Sequence, residues 1–221
     1  MDFQAARRAM VDGQVRTNDV THLGLIAAIL EIPREAFVPK DLAALAYLDR
    51  DVVIADATAT EPARCLMKPM VLARLIQAAD PNPQDRVLVL GAGSGYAAAV
   101  MSRLVAEVVA LEQNVSLVQQ AGLVLSSLGC RNVVVVQGAL AGGAPASAPY
   151  DVILIDGRIE IVPEELYGQL SSRGRMVAIV GAGPVGKATL FRSGNGIRGL
   201  ELFDANAPLL PGFGLAPAFV F

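Results

Sequence analysis

From residue 85 to residue 180 short runs of aliphatic and β-branched residues alternate with stretches whose apolar positions recur at helical spacing. That alternation predicts a parallel sheet with its strands joined by crossover helices. Arg86 to Leu90 reads as the first strand, Ser94 to Val105 as the helix behind it, and Glu107 to Leu111 as a second strand entering Glu112. Asn114 to Leu128 is helical, with Asn114 placed to cap its start and Gly129 to end it. Val133 to Val136 is apolar at every position, which predicts a central strand covered on both faces. Asp151 to Ile155 and Arg175 to Val180 are two further strands, separated by a short helix opening at Pro163.

The pattern changes at either end. Ala188 to Arg192 and Gly199 to Phe203 flank the turn-rich Ser193-Gly194-Asn195-Gly196, which predicts an antiparallel hairpin finishing the sheet. Before residue 80 the chain reads as mainly helical, with Leu25, Ile26, Ile29 and Leu30 on one apolar face. The expected architecture is therefore α/β: a mostly parallel central sheet with helices on both faces and a C-terminal antiparallel hairpin. Residues 1–80 form an N-terminal region and residues 81–221 the core of one domain.

Composition narrows the function. A chain of 221 residues, 53% apolar, can bury one large core. A net charge of -3, a pI of about 5.2 and no cluster of Lys and Arg argue against a nucleic-acid partner. Mean hydropathy is high, at +0.48, but charge or Gly breaks every apolar stretch before the roughly 18–20 residues that a spanning helix needs. With Asp2, Arg7 and Arg8 in its first ten positions the chain lacks a signal peptide's apolar core, so a cytoplasmic location is expected. Cys65 and Cys130 read as reduced thiols. No metal site is expected, and His22, the only histidine, reads as a surface or capping residue.

The strongest chemical signal is Val87-Leu88-Val89-Leu90-Gly91-Ala92-Gly93-Ser94-Gly95-Tyr96, a strand running into a glycine turn and then a helix. Such a turn lets the backbone approach a ligand closely. Its glycines fall at positions one, three and five, whereas a dinucleotide fingerprint needs the third at position six, where Tyr96 stands. This favours S-adenosylmethionine (SAM) over a nicotinamide cofactor. Glu112, at the end of the second strand, is placed to accept hydrogen bonds from both ribose hydroxyls of a nucleoside. A later Gly181-Ala182-Gly183-Pro184-Val185-Gly186 matches the dinucleotide spacing, but too few residues follow it for the crossover helix that fingerprint requires.

Ile32-Pro33-Arg34-Glu35-Ala36-Phe37-Val38-Pro39, followed by Ala46-Tyr47 and Asp49, resembles the VPRxxFVP…AYxD segment of protein-L-isoaspartate O-methyltransferases. The likeness continues through the GxGSGY turn, Ala148-Pro149-Tyr150-Asp151 and Arg173-Gly174-Arg175-Met176-Val177. The resemblance implies a Rossmann-like class I SAM methyltransferase fold. It also implies transfer of the SAM methyl group to the free α-carboxylate of isoaspartyl residues, the first step in repairing damaged proteins. Gly91, Ala92, Gly93, Ser94, Gly95, Tyr96, Glu112, Gly138 and Ala139 are then the candidate cofactor residues, and isoaspartyl proteins or peptides the partners.

Several positions depart from the family pattern. Its substrate-loop motif TISxP aligns with Cys65-Leu66-Met67-Lys68-Pro69, which puts Met67 where the family has a serine. A thioether has no hydrogen to donate. The acid before the glycines is Val89, the acid after Gly138 is Ala139, and the segment from Asp49 to Pro69 is longer than usual. Asp156 and Arg158, after the fourth strand, are candidates to meet the amino group of SAM and a substrate carboxylate respectively. Two other readings stand beside this one: a SAM-dependent enzyme with a small-molecule acceptor, and a non-catalytic SAM-binding or protein-binding relative.

Overall fold

The structure is a computed structural model and describes residues 1–59, 61–183, 185–193 and 198–215, the side chain of Arg198 excepted. Its centre is a seven-stranded sheet built from β3 (Arg86–Leu90), β4 (Glu107–Glu112), β5 (Val133–Gln137), β6 (Tyr150–Ile159), β7 (Leu170–Val180), β8 (Gly186–Arg192) and β9 (Arg198–Ala205). The order across the sheet is β5-β4-β3-β6-β7-β8-β9, parallel from β5 to β7 and antiparallel over the last two pairings. The order of strand addition reverses beside β3: β4 and β5 step outward on one side, and β6 returns on the other. Ligands of open α/β sheets bind at such a switch point, outside the carboxyl ends of the strands.

Alternation along each strand sorts the core into two layers. Val87, Val89, Val108, Ala110, Val152 and Leu154 face one way, into a cluster shared with the N-terminal helices and with α3 (Pro69–Ala79), α4 (Tyr96–Met101) and α5 (Val115–Ser127). Leu88, Leu90, Val109, Leu111, Ile153 and Ile155 face the other way. That second layer is covered by the four-residue α6 (Glu164–Tyr167), the 3-10 turns near Leu140 and Pro145, and Leu210 and Phe213 of the C-terminal strip. Helices thus lie on both faces in very unequal shares.

The caps follow the sequence closely. The Asn114 side chain accepts from Leu117 N at 3.1 Å to start α5, and Gly129 follows that helix with φ of 66°. In the N-terminal region α1 (Phe3–Met10) is capped by Asp2, and α2 (Leu23–Glu31) by His22, whose Nδ1 accepts from Leu25 N at 2.9 Å. Leu25, Ile26 and Ile29 are buried as the apolar face predicts, with Leu30 at its exposed rim.

One expectation is overturned. The valine strand lies at the edge of the sheet, not at its centre, and Val134 is 54% exposed. Val133 and Val135 lean on one core layer and Val136 on the other. An apolar residue at every position reports that both faces carry apolar contacts, and it says nothing about whether a neighbour pairs with the strand's free edge. A small hairpin, β1 (Val52–Ala55) against β2 (Arg64–Leu66), was not foreseen; it folds the longer loop over the carboxyl end of the sheet. The C-terminal hairpin forms as β8 and β9, while Gly194, Asn195 and Gly196 of its turn lie outside the described residues.

Candidate functional site

The glycine turn is held in place by the strand next to it. Gly91 N and Ala92 N both donate to Leu111 O, at 2.9 and 3.0 Å, so the turn doubles back over the end of β4. Gly91, Gly93 and Gly95 have φ of 75°, 57° and 101°, where an L side chain is strained. The turn brings the Gly93 N–H to within 2.7 Å of Glu112 Oε2. The other carboxylate oxygen of Glu112 accepts from Gln113 N and Asn114 N at 2.8 and 3.0 Å. Glu112 is wholly buried, with three backbone donors fixing its orientation.

A fourth donor comes from the loop above. Arg64, on β2, is 4% exposed, and its Nη2 lies 2.9 Å from both Glu112 Oε2 and Gly91 O. Two apolar side chains close the rest of the cradle. A Cβ built on Gly93 would meet Ile54 Cδ1 at 2.9 Å; one on Gly91 would meet both methyls of Leu210 at 3.0 Å; one on Gly157 would meet Leu210 at 2.6 Å. Leu210 is carried there by the C-terminal strip, which runs along the end of β6: Arg158 N donates to Pro208 O and Leu210 N to Arg158 O, each at 2.9 Å. A groove of about 480 Å³ stays open outside Leu210, lined by Glu61, Pro62, Gln113 and residues 209–212 and 214.

Next to the cradle lies a buried charge cluster. Asp156 is 7% exposed, and its Oδ1 has no hydrogen-bond partner. Burial pushes its carboxyl up to about 7, against the pull of Arg64 and Arg34. Arg34 is fully buried; Nε donates to Ala46 O and Nη2 to Met67 O, both at 2.6 Å, and its guanidinium lies 4.8 Å above the Tyr96 ring. Its Nη1 and the Nε of Arg64 are unpartnered. Burial also lowers the pKa of Arg34 from the usual guanidinium value, in the direction desolvation of a cation demands.

The comparisons with known proteins decide the family. The model of the Protein-L-isoaspartate(D-aspartate) O-methyltransferase family matches residues 6–196. The chain belongs to this family. A protein-L-isoaspartate O-methyltransferase of Pelotomaculum thermopropionicum is 39% identical over 79% of this chain and 74% of its own length. One of Roseiflexus sp. is 36% identical over 96% and 95%. Among solved structures, a protein-L-isoaspartate O-methyltransferase superposes with a TM-score of 0.81 at 27% identity, covering 94% of this chain and 67% of the other. A Plasmodium falciparum chain described as a beta-aspartate methyltransferase, solved with S-adenosyl-L-homocysteine, shares the fold with a TM-score of 0.75 at 18% identity over 95% and 98%.

Members of the isoaspartyl methyltransferase family use SAM, and the residues present here fit that cofactor. The glycine turn offers a cradle in which a Cβ would collide, Glu112 offers a fixed carboxylate, and Asp156 offers an orphaned acceptor for an ammonium group. What stands in the cradle is the tips of three side chains, Arg64, Ile54 and Leu210, not backbone.

Ser94 Oγ donates to Phe37 O at 2.6 Å, and Tyr96 packs edge-on against Phe37 at 5.4 Å, so both side chains turn toward the VPRxxFVP-like segment. Gly138 N donates to Glu112 O at 3.1 Å, and Ala139 is exposed at the head of a 3-10 turn. The Met67 side chain is buried in the core, and Val89, at the position of the family's acid, is buried with it. Arg158 spends its guanidinium on Ala207 O, Gly181 O and Glu160. Sequence reasoning missed Arg64 and Leu210. An isolated Arg and a Leu between prolines carry no motif, and their meaning comes from two loops that meet only in the fold.

Proposed function

We propose that this chain methylates the free α-carboxylate of isoaspartyl residues in damaged proteins, with SAM as donor. Gly91, Ala92, Gly93 and Gly95 form the turn that receives the cofactor, Glu112 accepts from its ribose hydroxyls, and Asp156 faces its ammonium group. The observation that carries this reading is the bond from Gly93 N–H to the Glu112 carboxylate: the close-approach turn and the ribose acceptor are one unit, held at 2.7 Å. When bound, SAM supplies a methyl group on a sulfonium centre. An α-carboxylate is already an anion near pH 7, so no residue has to remove a proton from it. The chain's own work is to align the acceptor and exclude water.

Arg34 contributes by holding the Met67 carbonyl, and with it the substrate loop, against the Tyr96 ring. Arg158 is assigned to anchoring the C-terminal strip, because three partners already engage it. We place the protein in the cytoplasm, and without a nucleic-acid partner, which the net charge of -3 supports. Among the described residues no helix is long and apolar enough to cross a membrane.

The test is methyl transfer from labelled SAM to an isoaspartyl peptide and to its normal aspartyl twin. Label on the isoaspartyl peptide alone is expected. SAM binding with no transfer to either peptide would sink the acceptor assignment. It would favour a small-molecule acceptor, a reading supported by Met67, which brings no hydrogen-bond donor to the substrate loop.

A further inference from the structure

We infer that Arg64 is the residue that binds the acceptor carboxylate, and that the cofactor controls it by taking its place on Glu112. The inference rests on the reading that Glu112 receives the ribose. Arg64 Nη2 now bridges Glu112 Oε2 and Gly91 O, two groups of the cofactor cradle, while its Nε is buried with no partner. Glu112 does not depend on Arg64 for its place, because the N–H groups of Gly93, Gln113 and Asn114 hold it independently. A ribose hydroxyl arriving at Oε2 therefore displaces the guanidinium without dismantling the carboxylate's support.

The displaced cation then needs an anion. A buried guanidinium without a counter-charge is costly, and the neighbouring carboxylate, Asp156, is the one assigned above to the cofactor's ammonium group. The acceptor brings the missing charge: an α-carboxylate, whose two oxygens match the two-pronged donor edge of a guanidinium. Arg64 also sits three positions before Met67 on the loop that covers the site. The loop has no hydroxyl at Met67, and Arg64 supplies a charged donor in its stead. Cofactor then binds before substrate, because in the free protein Glu112 sequesters Arg64.

The experiment uses the full chain and an isoaspartyl peptide: calorimetry with S-adenosyl-L-homocysteine (SAH) as an unreactive probe measures binding, and steady-state methyl transfer from SAM measures KM and kcat. The wild type is expected to bind SAH alone, and to bind peptide only when SAH is present. Arg64→Gln is expected to bind SAH at least as tightly as wild type, yet to raise the peptide KM about tenfold or more while kcat moves by less than about threefold. Arg64→Lys, which keeps the charge and loses the fork, should fall between the two. Melting of each variant by circular dichroism checks that it is folded.

An unchanged peptide KM in folded Arg64→Gln would overturn the inference, as would peptide binding to the cofactor-free wild type. Loss of SAH binding in Arg64→Gln would overturn it too, since Arg64 would then be a prop for Glu112. Failure of the wild type itself to bind SAH would instead remove the cofactor reading beneath it, and that outcome is separable because it precedes any variant.

Discussion

The two walls of the proposed cofactor crevice are built on different principles. One is backbone: the glycine turn after β3 and the Glu112 carboxylate at the end of β4, tied together by N–H groups from residues close in sequence or on the neighbouring strand. The other is side chains: Arg64 and Ile54 from the β1–β2 hairpin and Leu210 from the C-terminal strip, three tips meeting from segments distant in sequence. The first wall has little freedom to change shape, since strands paired on both sides hold it. The second can open by rotamer changes and loop shifts, which are inexpensive beside breaking a sheet. A rigid surface covered by side-chain tips suits the proposed site, which would admit a cofactor and then a peptide.

Substitutions on each wall should therefore differ in sign as well as size. The largest effect is expected on the rigid side. Glu112→Gln replaces an acceptor-only carboxylate with an amide that also donates, and should weaken SAM binding about a hundredfold, about 3 kcal/mol, as read by calorimetry. Retained affinity would mean that the ribose is held elsewhere.

On the movable side, Leu210→Ala removes a fully buried side chain and should cost about 2–3 kcal/mol of stability in urea unfolding. The same variant empties part of the cradle, so its SAM affinity should rise or hold even as the fold weakens. A parallel fall in both would erase the distinction between the walls.

The smallest effect concerns Asp156, which lies between them. Its folded pKa of about 7 stands above the usual carboxylate value, so the folded state keeps a proton that the unfolded chain releases near pH 4. Stability from this group is therefore present at low pH and is lost as pH rises toward and through 7. Asp156→Asn cannot titrate. Compared with wild type it should gain on the order of 2 kcal/mol in relative stability between pH 5 and pH 8, measured by urea melts at both values. A gap that stays constant with pH would show that the carboxyl is charged throughout that range.

The same contrast explains what sequence revealed. The glycine turn, Glu112, the Asn114 cap and the strand that carries each are legible because local spacing dictates them. The movable wall was hidden: nothing near Arg64 or Leu210 in the chain signals that they meet over Gly91. Ser94 and Tyr96 were named as cofactor residues along with the turn, Tyr96 equally as packing at the helix start, and in the fold their side chains reach Phe37. A motif locates a backbone more reliably than it tells where each of its side chains points. The valine strand failed for a related reason, since apolar pattern describes faces whereas strand order is a property of the whole sheet.

That edge strand has a bearing on how the protein behaves in concentrated solution. Val133 to Val136 present a row of backbone donors and acceptors at the margin of the sheet, with no charged side chain among them. Edges of this kind are templates for pairing with another chain, and natural sheets commonly guard them with Lys, Pro or a bulge. Here Arg131, two residues upstream and exposed, is the charged residue nearest to the strand in sequence. Among the described residues, the protein that this reading assigns to mending aged polypeptides therefore carries an unpaired strand edge of its own, with the exposed Arg131 close by in sequence.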